Sequence, residues 1–226
     1  RGLKFKDDRL QQPFTVDGDV HWKGTDFSFT QGWFESGKTR TRFNGHYFSG
    51  PSPKLELTLK GDGIYLNELL ALKEDTDKEK PGWWRTSKLL NQGTGTVKWE
   101  LDRFKYGHWT LKEVAGNLSF KDREVRIGHM TVGRQARDQI EAQGKFSLTD
   151  PKSVGFEGLL LARNIRAEGF LGIFGPLFED SLNGQMNWSK AKLKSRGASL
   201  KEMFRNLEGD LAFDLAKGQL QTARLR

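Results

Sequence analysis

The chain has 226 residues, enough for one large domain or two small ones. Hydrophobic residues make up only 35% of it, yet 16 Phe and 7 Trp exclude a disordered chain, and this mixture favours thin, sheet-rich folds in which each strand has one wet face. The absence of cysteine excludes disulfides, thiolate metal sites and cysteine nucleophiles, while the net charge of +8 favours anionic partners.

Alternation of apolar and polar residues recurs along the whole chain and is typical of half-buried β-strands. It first places Val20 beside Trp22, and Phe27 beside Phe29, on one side of a strand. The later alternating segments place on one side Leu55, Leu57 and Leu59; Val97, Trp99 and Leu101; Leu118 and Phe120; Phe146 and Leu148; and Leu211, Phe213 and Leu215. Because glycine turns separate most of these segments, they predict about a dozen strands in one antiparallel meander.

Helical spacing of apolar residues is rarer. It occurs in three short segments, 67–72, 168–182 and 199–209. The last is the strongest, because Ser199 and Glu202 form a capping-box pattern and Gly209 stands where a C-terminal cap belongs. A helix here would run directly into an alternating strand.

No catalytic or metal-binding pattern is present in the sequence. His21, His46, His108 and His129 lack the spacings that place two ligands on one helix face. There is no nucleophile elbow and no phosphate-binding glycine loop. We therefore predict a protein that is not an enzyme and that uses no cofactor or metal. The aromatic residues mostly alternate opposite the charges, so the pattern also does not favour a stacking platform for nucleic acid.

One predicted strand changes character along its length. In "GQMNWSKAKLKSR" alternation places on a single face, in order, Met186, Trp188, Lys190, Lys192, Lys194 and Arg196. One interpretation is an edge strand that its lysines protect from aggregation. The other is a strand whose apolar end lines a groove and whose basic end contacts an anionic rim.

The last part of the chain combines a Gly-x-Ser helix start, a Leu-x-Gly turn, an alternating strand, a glycine and a final strand. The residues in these places are Gly197, Ser199, Phe204, Leu207, Gly209, Leu211, Phe213, Leu215, Gly218 and Leu220. This arrangement resembles the carboxy-terminal signature of the AsmA-like family, the AsmA-, TamB- and YhdP-type envelope proteins. The order of strands, short helices and glycines from residue 61 onward resembles that of the family as well, whereas residues 1–60 are only β-like. Lys217 departs from the Asp or Asn expected there.

The resemblance implies a mainly β fold, a long curled antiparallel sheet with an open groove or taco-like shape and two or three short helices. Residues 1–60 are expected to form an N-terminal β segment that continues the same sheet, and 61–226 the AsmA-like C-terminal domain. The resemblance also implies a periplasmic location in a Gram-negative bacterium. Because the chain begins without Met or a signal peptide, we expect the inner-membrane anchor in a segment outside it. The family has no established catalytic residues, so none is carried over.

The expected function is to provide an apolar groove or scaffold for phospholipid transport between the inner and outer membranes, and so for outer-membrane homeostasis. The groove would be formed by Leu55, Leu57, Leu59, Val97, Trp99, Leu101, Leu118, Phe120, Phe146, Leu148, Met186, Trp188, Leu211, Phe213 and Leu215. An anionic rim would be contacted by Lys190, Lys192, Lys194 and Arg196. Strands of five to seven residues would give a trough about 16–23 Å wide. The expected partners are a phospholipid or other acyl lipid, the inner membrane and an outer-membrane protein, without nucleic acid.

Two other functions remain open at this level. One is a glycan-binding β-sandwich that uses tryptophans as stacking platforms, and the other is a passive structural spacer of the envelope. The orientation of Trp22, Trp99 and Trp188 separates lipid from glycan, because a concave apolar face favours lipid and a flat outer face favours sugar. The helix within 199–209 has two interpretations as well, a cap on an open sheet or ordinary core packing.

Overall fold

The computed structural model describes residues 3–5, 13–65, 87–106, 109–133, 139–150, 152–166, 182–198 and 200–220. Within them the strands are β1 (Leu3–Phe5), β2 (Phe14–Lys23), β3 (Asp26–Ser36), β4 (Thr39–Phe48), β5 (Lys54–Tyr65), β6 (Thr94–Tyr106), β7 (Trp109–Lys121), β8 (Glu124–Val132), β9 (Gln139–Ser147), β10 (Val154–Arg166), β11 (Leu182–Gly197) and β12 (Glu208–Leu220). The helices are α1 (Lys88–Gln92) and α2 (Leu200–Arg205). The twelve strands form one sheet in sequence order, and β1 does not pair with β12, so the sheet is open.

The sheet is mixed, which corrects the predicted antiparallel meander. Ten of the neighbouring pairs are antiparallel, but β5 and β6 run parallel, with Lys54 opposite Thr94 and Leu59 opposite Trp99. A parallel pair needs a crossover of a dozen residues or more, and residues 66–93 supply it. Side-chain alternation shows which face a residue occupies but carries no information on strand direction, so the sequence pattern could not reveal this pair. The boundary that we expected after residue 60 falls inside β5.

The strands are also longer than the five to seven residues predicted. From β2 to β12 they contain between 9 and 16 residues. At about 3.3 Å per residue the sheet therefore extends roughly 30–50 Å along its strands rather than 16–23 Å. The reason is a set of β-bulges, seen as register shifts in pairs such as β2–β3, β4–β5 and β11–β12. A bulge interrupts the alternation, so one long strand looks like two short ones in the sequence.

Of the three predicted helices, the one at 67–72 lies outside the described residues, and so does the one at 168–182 except for Leu182, which begins β11. The third is confirmed as α2, and the Glu202 carboxylate accepts a hydrogen bond from the Ala198 N–H at 2.7 Å in the manner of a capping box. The predicted C-terminal cap is wrong, because α2 ends at Arg205 and Gly209 lies within β12. Helix α1 was not predicted. It is a single turn that begins at Ser87, whose hydroxyl accepts from the Leu90 N–H at 3.3 Å, and it ends before Gly93.

The described residues form a single layer rather than a sandwich. The main contacts between elements join neighbouring strands, and the smaller ones join α1 to β7 and α2 to β11. All the close aromatic pairs among these residues lie on adjacent strands, such as Phe29 with Phe43 and Phe146 with Phe156. The glycan-binding prediction of a two-layer β-sandwich therefore does not match the described part of the chain.

Candidate functional site: the apolar face

The register of the sheet separates its side chains into an apolar face and a polar face. Leu57 lies opposite Gly45 on one side and Val97 on the other, and Val97 lies opposite Leu118. Since directly opposed residues point to the same side of a sheet, these side chains share one face. We call it the apolar face; the predicted groove residues that the register places on it are Leu55, Leu57, Leu59, Val97, Trp99, Leu101, Leu118, Phe120, Phe146, Leu211 and Phe213.

The large side chains of the apolar face are most exposed on β2 and β12. Leu101 and Phe120, in the central strands, are buried. On β2 near one end, Val20 and Trp22 are 58% and 72% exposed. On β12 at the other end, Leu211 and Phe213 are exposed as well, although both are large and apolar. The face therefore runs across the sheet as a continuous surface that the described elements cover incompletely.

Aromatic rings in this face lie against glycines of neighbouring strands. A Cβ atom added to Gly116 would stand 2.5 Å from Cζ2 of Trp99, and one added to Gly32 would stand 2.6 Å from the Phe43 ring. Such distances leave no room for a side chain, so each ring occupies the space above a glycine. We call the surface formed by these rings, which lie over glycines instead of beside other side chains, the floor of the apolar face.

Helix α2 covers one end of the apolar face. The Ser195 hydroxyl, at the end of β11, donates a hydrogen bond to the Met203 carbonyl at 2.5 Å. A Cβ atom added to the buried Gly197 would stand 2.6 Å from the Met203 nitrogen, so the helix lies directly on this glycine. The side-chain amide of Asn206 fixes the following turn by donating to the Arg196 carbonyl at 2.8 Å. The helix is therefore a cap at the end of β11.

The structure corrects the predicted grouping of Met186 with Trp188 and the basic residues; Trp188 does share their face, which removes it from the predicted groove. Met186 is fully buried, whereas Trp188 is 48% exposed, and a register shift separates the two in the pairing of β11 with β12. Two exposed neighbours, Asn187 and Trp188, stand between the buried Met186 and Ser189. The alternation therefore shifts by one residue, which places Met186 on the apolar face and Trp188 on the polar face.

The four basic residues of β11 do not border the apolar face either. Lys190, Lys192, Lys194 and Arg196 are exposed on the polar face, and the residues between them point to the apolar face. The Lys194 ammonium lies 3.0 Å from the Glu208 carboxylate, which raises the pKa of the lysine. The edge-strand interpretation is wrong as well, because β11 pairs with β10 on one side and β12 on the other.

Two predicted groove residues, Leu148 and Leu215, are not placed on the apolar face by a described side chain within a strand. Leu148 is buried one residue beyond the end of β9, where its N–H donates to the Arg123 carbonyl at 2.8 Å. Leu215 lies opposite Met186 in the backbone register, and its side chain is outside the described residues. Sequence reasoning also missed members of the face, among them Phe43, Met130 and Phe156. Alternation with Val154 was a sequence signal for Phe156. Met130 had no such signal, because the bulge beside it interrupts the alternation.

The polar face has a concavity of about 600 Å³. Its charged and aromatic lining consists of Trp33, Arg42, Lys60, Asp62, Glu100, Asp102 and Glu113. Several of these groups already interact with one another, since the Lys60 ammonium lies 2.7 Å from Glu100 and the Arg42 guanidinium lies 4.5 Å from the Trp33 ring centre. Among the described residues no cluster of three or more His, Asp or Glu side chains has an arrangement that could hold a metal ion.

The histidines and tryptophans show the same division of the sheet. His21, His46 and His129 lie exposed on the polar face, and His46 pairs with Asp26; His108 lies outside the described residues. Of the three tryptophans chosen to separate lipid from glycan, Trp22 and Trp99 lie on the apolar face and only Trp188 lies on the polar face.

Comparison with protein-family models, with curated proteins and with solved structures finds no match to this chain. In the described part of the chain no helix has the length and apolar character needed to cross a membrane. The sheet and its apolar face are therefore the basis for any assignment of function.

Proposed function

We propose that this chain is the non-catalytic periplasmic part of an AsmA-like envelope protein, anchored to the inner membrane through a segment outside the chain. Its apolar face binds the acyl chains of phospholipids that pass between the inner and outer membranes, with an outer-membrane protein as partner at the far end. The observation that supports this proposal is one apolar face that continues from β2 to β12 with no second layer of described strands over it.

The energetic reason for such a face is the cost of moving an acyl chain through water. Each methylene exposed to water costs about 0.8 kcal/mol, so a chain of a dozen methylenes costs on the order of 10 kcal/mol. A sheet of twelve strands spaced about 4.8 Å apart extends roughly 50 Å across its strands. Leu57, Val97 and Leu118 lie side by side in its middle and would replace water around the chain at every step.

The bulges favour a curved rather than a flat sheet. A β-bulge bends its strand and increases the local twist. In this sheet register shifts occur in six of the eleven neighbouring pairs, including β3–β4 and β8–β9. We infer a sheet curled around its apolar face, which shelters acyl chains while lipid headgroups stay in water at the open side.

Adjacent residues on opposite faces provide a direct test of lipid binding. Because the chain has no cysteine, Leu57→Cys and Glu56→Cys each introduce one labelling site, and these neighbours point to the apolar and polar faces of β5. Each variant is labelled with a fluorophore and mixed with phosphatidylglycerol–phosphatidylethanolamine vesicles whose acyl chains carry bromine. We expect quenching of the label at residue 57 to be at least about threefold stronger than at residue 56.

Equal quenching at the two positions would refute the proposal, because binding through headgroups or charge alone does not distinguish the faces. Organic extraction and native mass spectrometry of the purified protein provide the second measurement. Phospholipid that accompanies the unmodified protein, and that decreases in a Leu57→Gln variant but not in a Glu56→Gln variant, supports the apolar face as its site. A lipid-free protein with no quenching would instead favour the passive spacer.

A further inference from the structure

The turn between β7 and β8 lies at one end of the apolar face. It follows Phe120, the last apolar residue of β7, which is buried and lies opposite Val125 on β8. Val125 in turn lies opposite Phe146 on β9. Just beyond β9, the Leu148 N–H donates a hydrogen bond to the Arg123 carbonyl at 2.8 Å. Arg123, which is half-buried, therefore lies where the apolar face ends and solvent begins.

Arg123 has a backbone conformation that is unusual for its residue type. The turn consists of two residues, Asp122 and Arg123, with left-handed φ values of 51° and 63°. Turns of this kind favour glycine or asparagine, because a longer side chain is strained at a positive φ. Such strain is often retained where the side chain has a function.

The Arg123 guanidinium contains a donor without an acceptor. Its Nε is buried and forms no hydrogen bond with any of the residues that the structure describes. A buried donor without a partner is rare in folded proteins, and leaving a charged group unpaired costs more than leaving a neutral one. Because the Nε is buried, the side chain lies against the protein rather than extending into water. A ligand at this place would supply the missing acceptor.

The two carboxylates next to Arg123 in the chain already interact with other groups. Asp122 lies 3.9 Å from the Lys121 ammonium. Glu124 pairs with Arg126. The carboxylate in the turn after β9 accepts two hydrogen bonds from within that turn. The acceptor for Arg123 is therefore expected to be an anion from outside the chain, and a planar guanidinium is well suited to bind two oxygens of one phosphate.

We propose that Arg123 binds the phosphate of a phospholipid whose acyl chain lies on the apolar face. This inference rests on the proposed function and adds to it the residue that distinguishes phospholipids from uncharged lipids. The acyl chain lies beside Phe120 and Phe146, and the phosphate lies beyond them at the strand ends, within reach of the guanidinium. The headgroup stays in water, as a phospholipid on a single-layered sheet requires.

Two soluble lipids with the same acyl chain separate recognition of the phosphate from recognition of the chain. Lauroyl lysophosphatidylglycerol and monolauroylglycerol share a lauroyl chain, and only the first has a phosphate. Each is titrated into the full 226-residue chain, below the concentration at which it forms micelles. We expect isothermal titration calorimetry to show that the phospholipid binds at least about tenfold more tightly, as a charge-assisted pair of hydrogen bonds would provide.

Variants of the turn test whether Arg123 is the source of this preference. Arg123→Gln and Arg123→Asn both remove the guanidinium, and asparagine also suits the left-handed backbone. We expect each variant to bind the two lipids equally, with the affinity for monolauroylglycerol unchanged. Lys121→Gln is the matched control, because this exposed lysine belongs to the same hairpin and should leave the preference intact. Circular dichroism establishes that every variant is folded.

The outcomes separate this inference from the proposed function. A preference for the phospholipid that persists in both Arg123 variants, or that disappears in Lys121→Gln, overturns the role of Arg123. Inorganic phosphate that binds as tightly as the phospholipid would indicate a site for free phosphate and would also overturn the proposal. Equal binding of the two lipids by the unmodified chain removes the role of Arg123 and leaves the proposed function standing. A chain that binds neither lipid refutes both.

Discussion

Replacing Gly158 with alanine tests whether flat aromatic rings form the floor of the apolar face. In β10 the Phe156 ring extends over Gly158, and an added Cβ would stand 2.5 Å from its Cζ atom and 3.2 Å from the Gln143 carbonyl oxygen. The ring cannot simply move aside. The Phe146 ring centre is 4.8 Å away, and a Cβ at Gly144 would already be 3.1 Å from the Phe156 ring.

The expected cost follows from two opposing terms. Forcing an extra methyl group into a packed site typically costs about 1–3 kcal/mol. Replacing glycine by alanine also lowers the conformational entropy of the unfolded chain, which raises the free energy of unfolding by about 0.4–1 kcal/mol. We therefore expect Gly158→Ala to lower the free energy of unfolding by about 1–2 kcal/mol, and the midpoint of thermal unfolding by about 3–6 °C for a chain of this size.

Gly155, in the same strand, provides the control. An added Cβ there meets only Ser147 Cβ at 3.7 Å, an ordinary contact, so Gly155→Ala should leave stability unchanged or raise it by up to about 1 kcal/mol. Urea unfolding followed by circular dichroism measures both variants. In a Phe156→Leu background the cost of Gly158→Ala should shrink by about 1 kcal/mol, because the clashing ring is gone. Equal stabilities of the two alanine variants would refute the proposed floor.

Three further predictions concern single contacts outside the floor. The Ser153 hydroxyl donates a hydrogen bond to the Asp150 carboxylate at 2.7 Å and lowers the pKa of that carboxyl. The stability that this bond contributes is therefore present above the pKa of Asp150 in the unfolded chain and is lost as pH falls through its pKa in the folded chain. An NMR titration should show a higher pKa for Asp150 in Ser153→Ala. Thr39→Val removes the hydroxyl that accepts from the Tyr65 N–H at 2.9 Å and should cost about 1–3 kcal/mol in urea unfolding, whereas Thr39→Ser should cost less. Asn164 has a φ of 50°, so Asn164→Val should destabilise by about 1–2 kcal/mol, while a stable Asn164→Val would contradict the strain argument.

The parts of the fold that were predictable from the sequence are those in which a local pattern is sufficient. Leu55, Leu57 and Leu59 share a face as predicted, because no bulge interrupts this part of β5 and the period of two is preserved. The position of α2 was predictable for a similar reason, since its cap involves Glu202 only four residues from its partner, Ala198. Local chemistry decides both features.

The bulges depend on contacts between strands, which a single sequence does not reveal. Gln31 and Glu113 have φ values of 53° and 52° although neither is glycine. At Gln31 the backbone N–H donates at 2.8 Å to the side chain of Asn44, thirteen residues away on the next strand. No property of Gln31 itself predicts a left-handed conformation. The same limitation caused the wrong grouping of Met186 with Trp188, because the shift between them is visible only in the register with β12.

The bulges nevertheless have a common consequence, which is to keep apolar side chains on one face along unusually long strands. In β6 the buried Leu101 is followed by two exposed residues and then by the half-buried Phe104, which lies opposite Leu111 and Ile64. In β10 the buried Ala162 is likewise separated from the buried Ile165 by two exposed residues. Strict alternation would direct one residue of each pair to the polar face. Two consecutive polar residues between apolar ones therefore indicate a strand that bends and continues, and this is how strands of up to 16 residues can present one apolar surface.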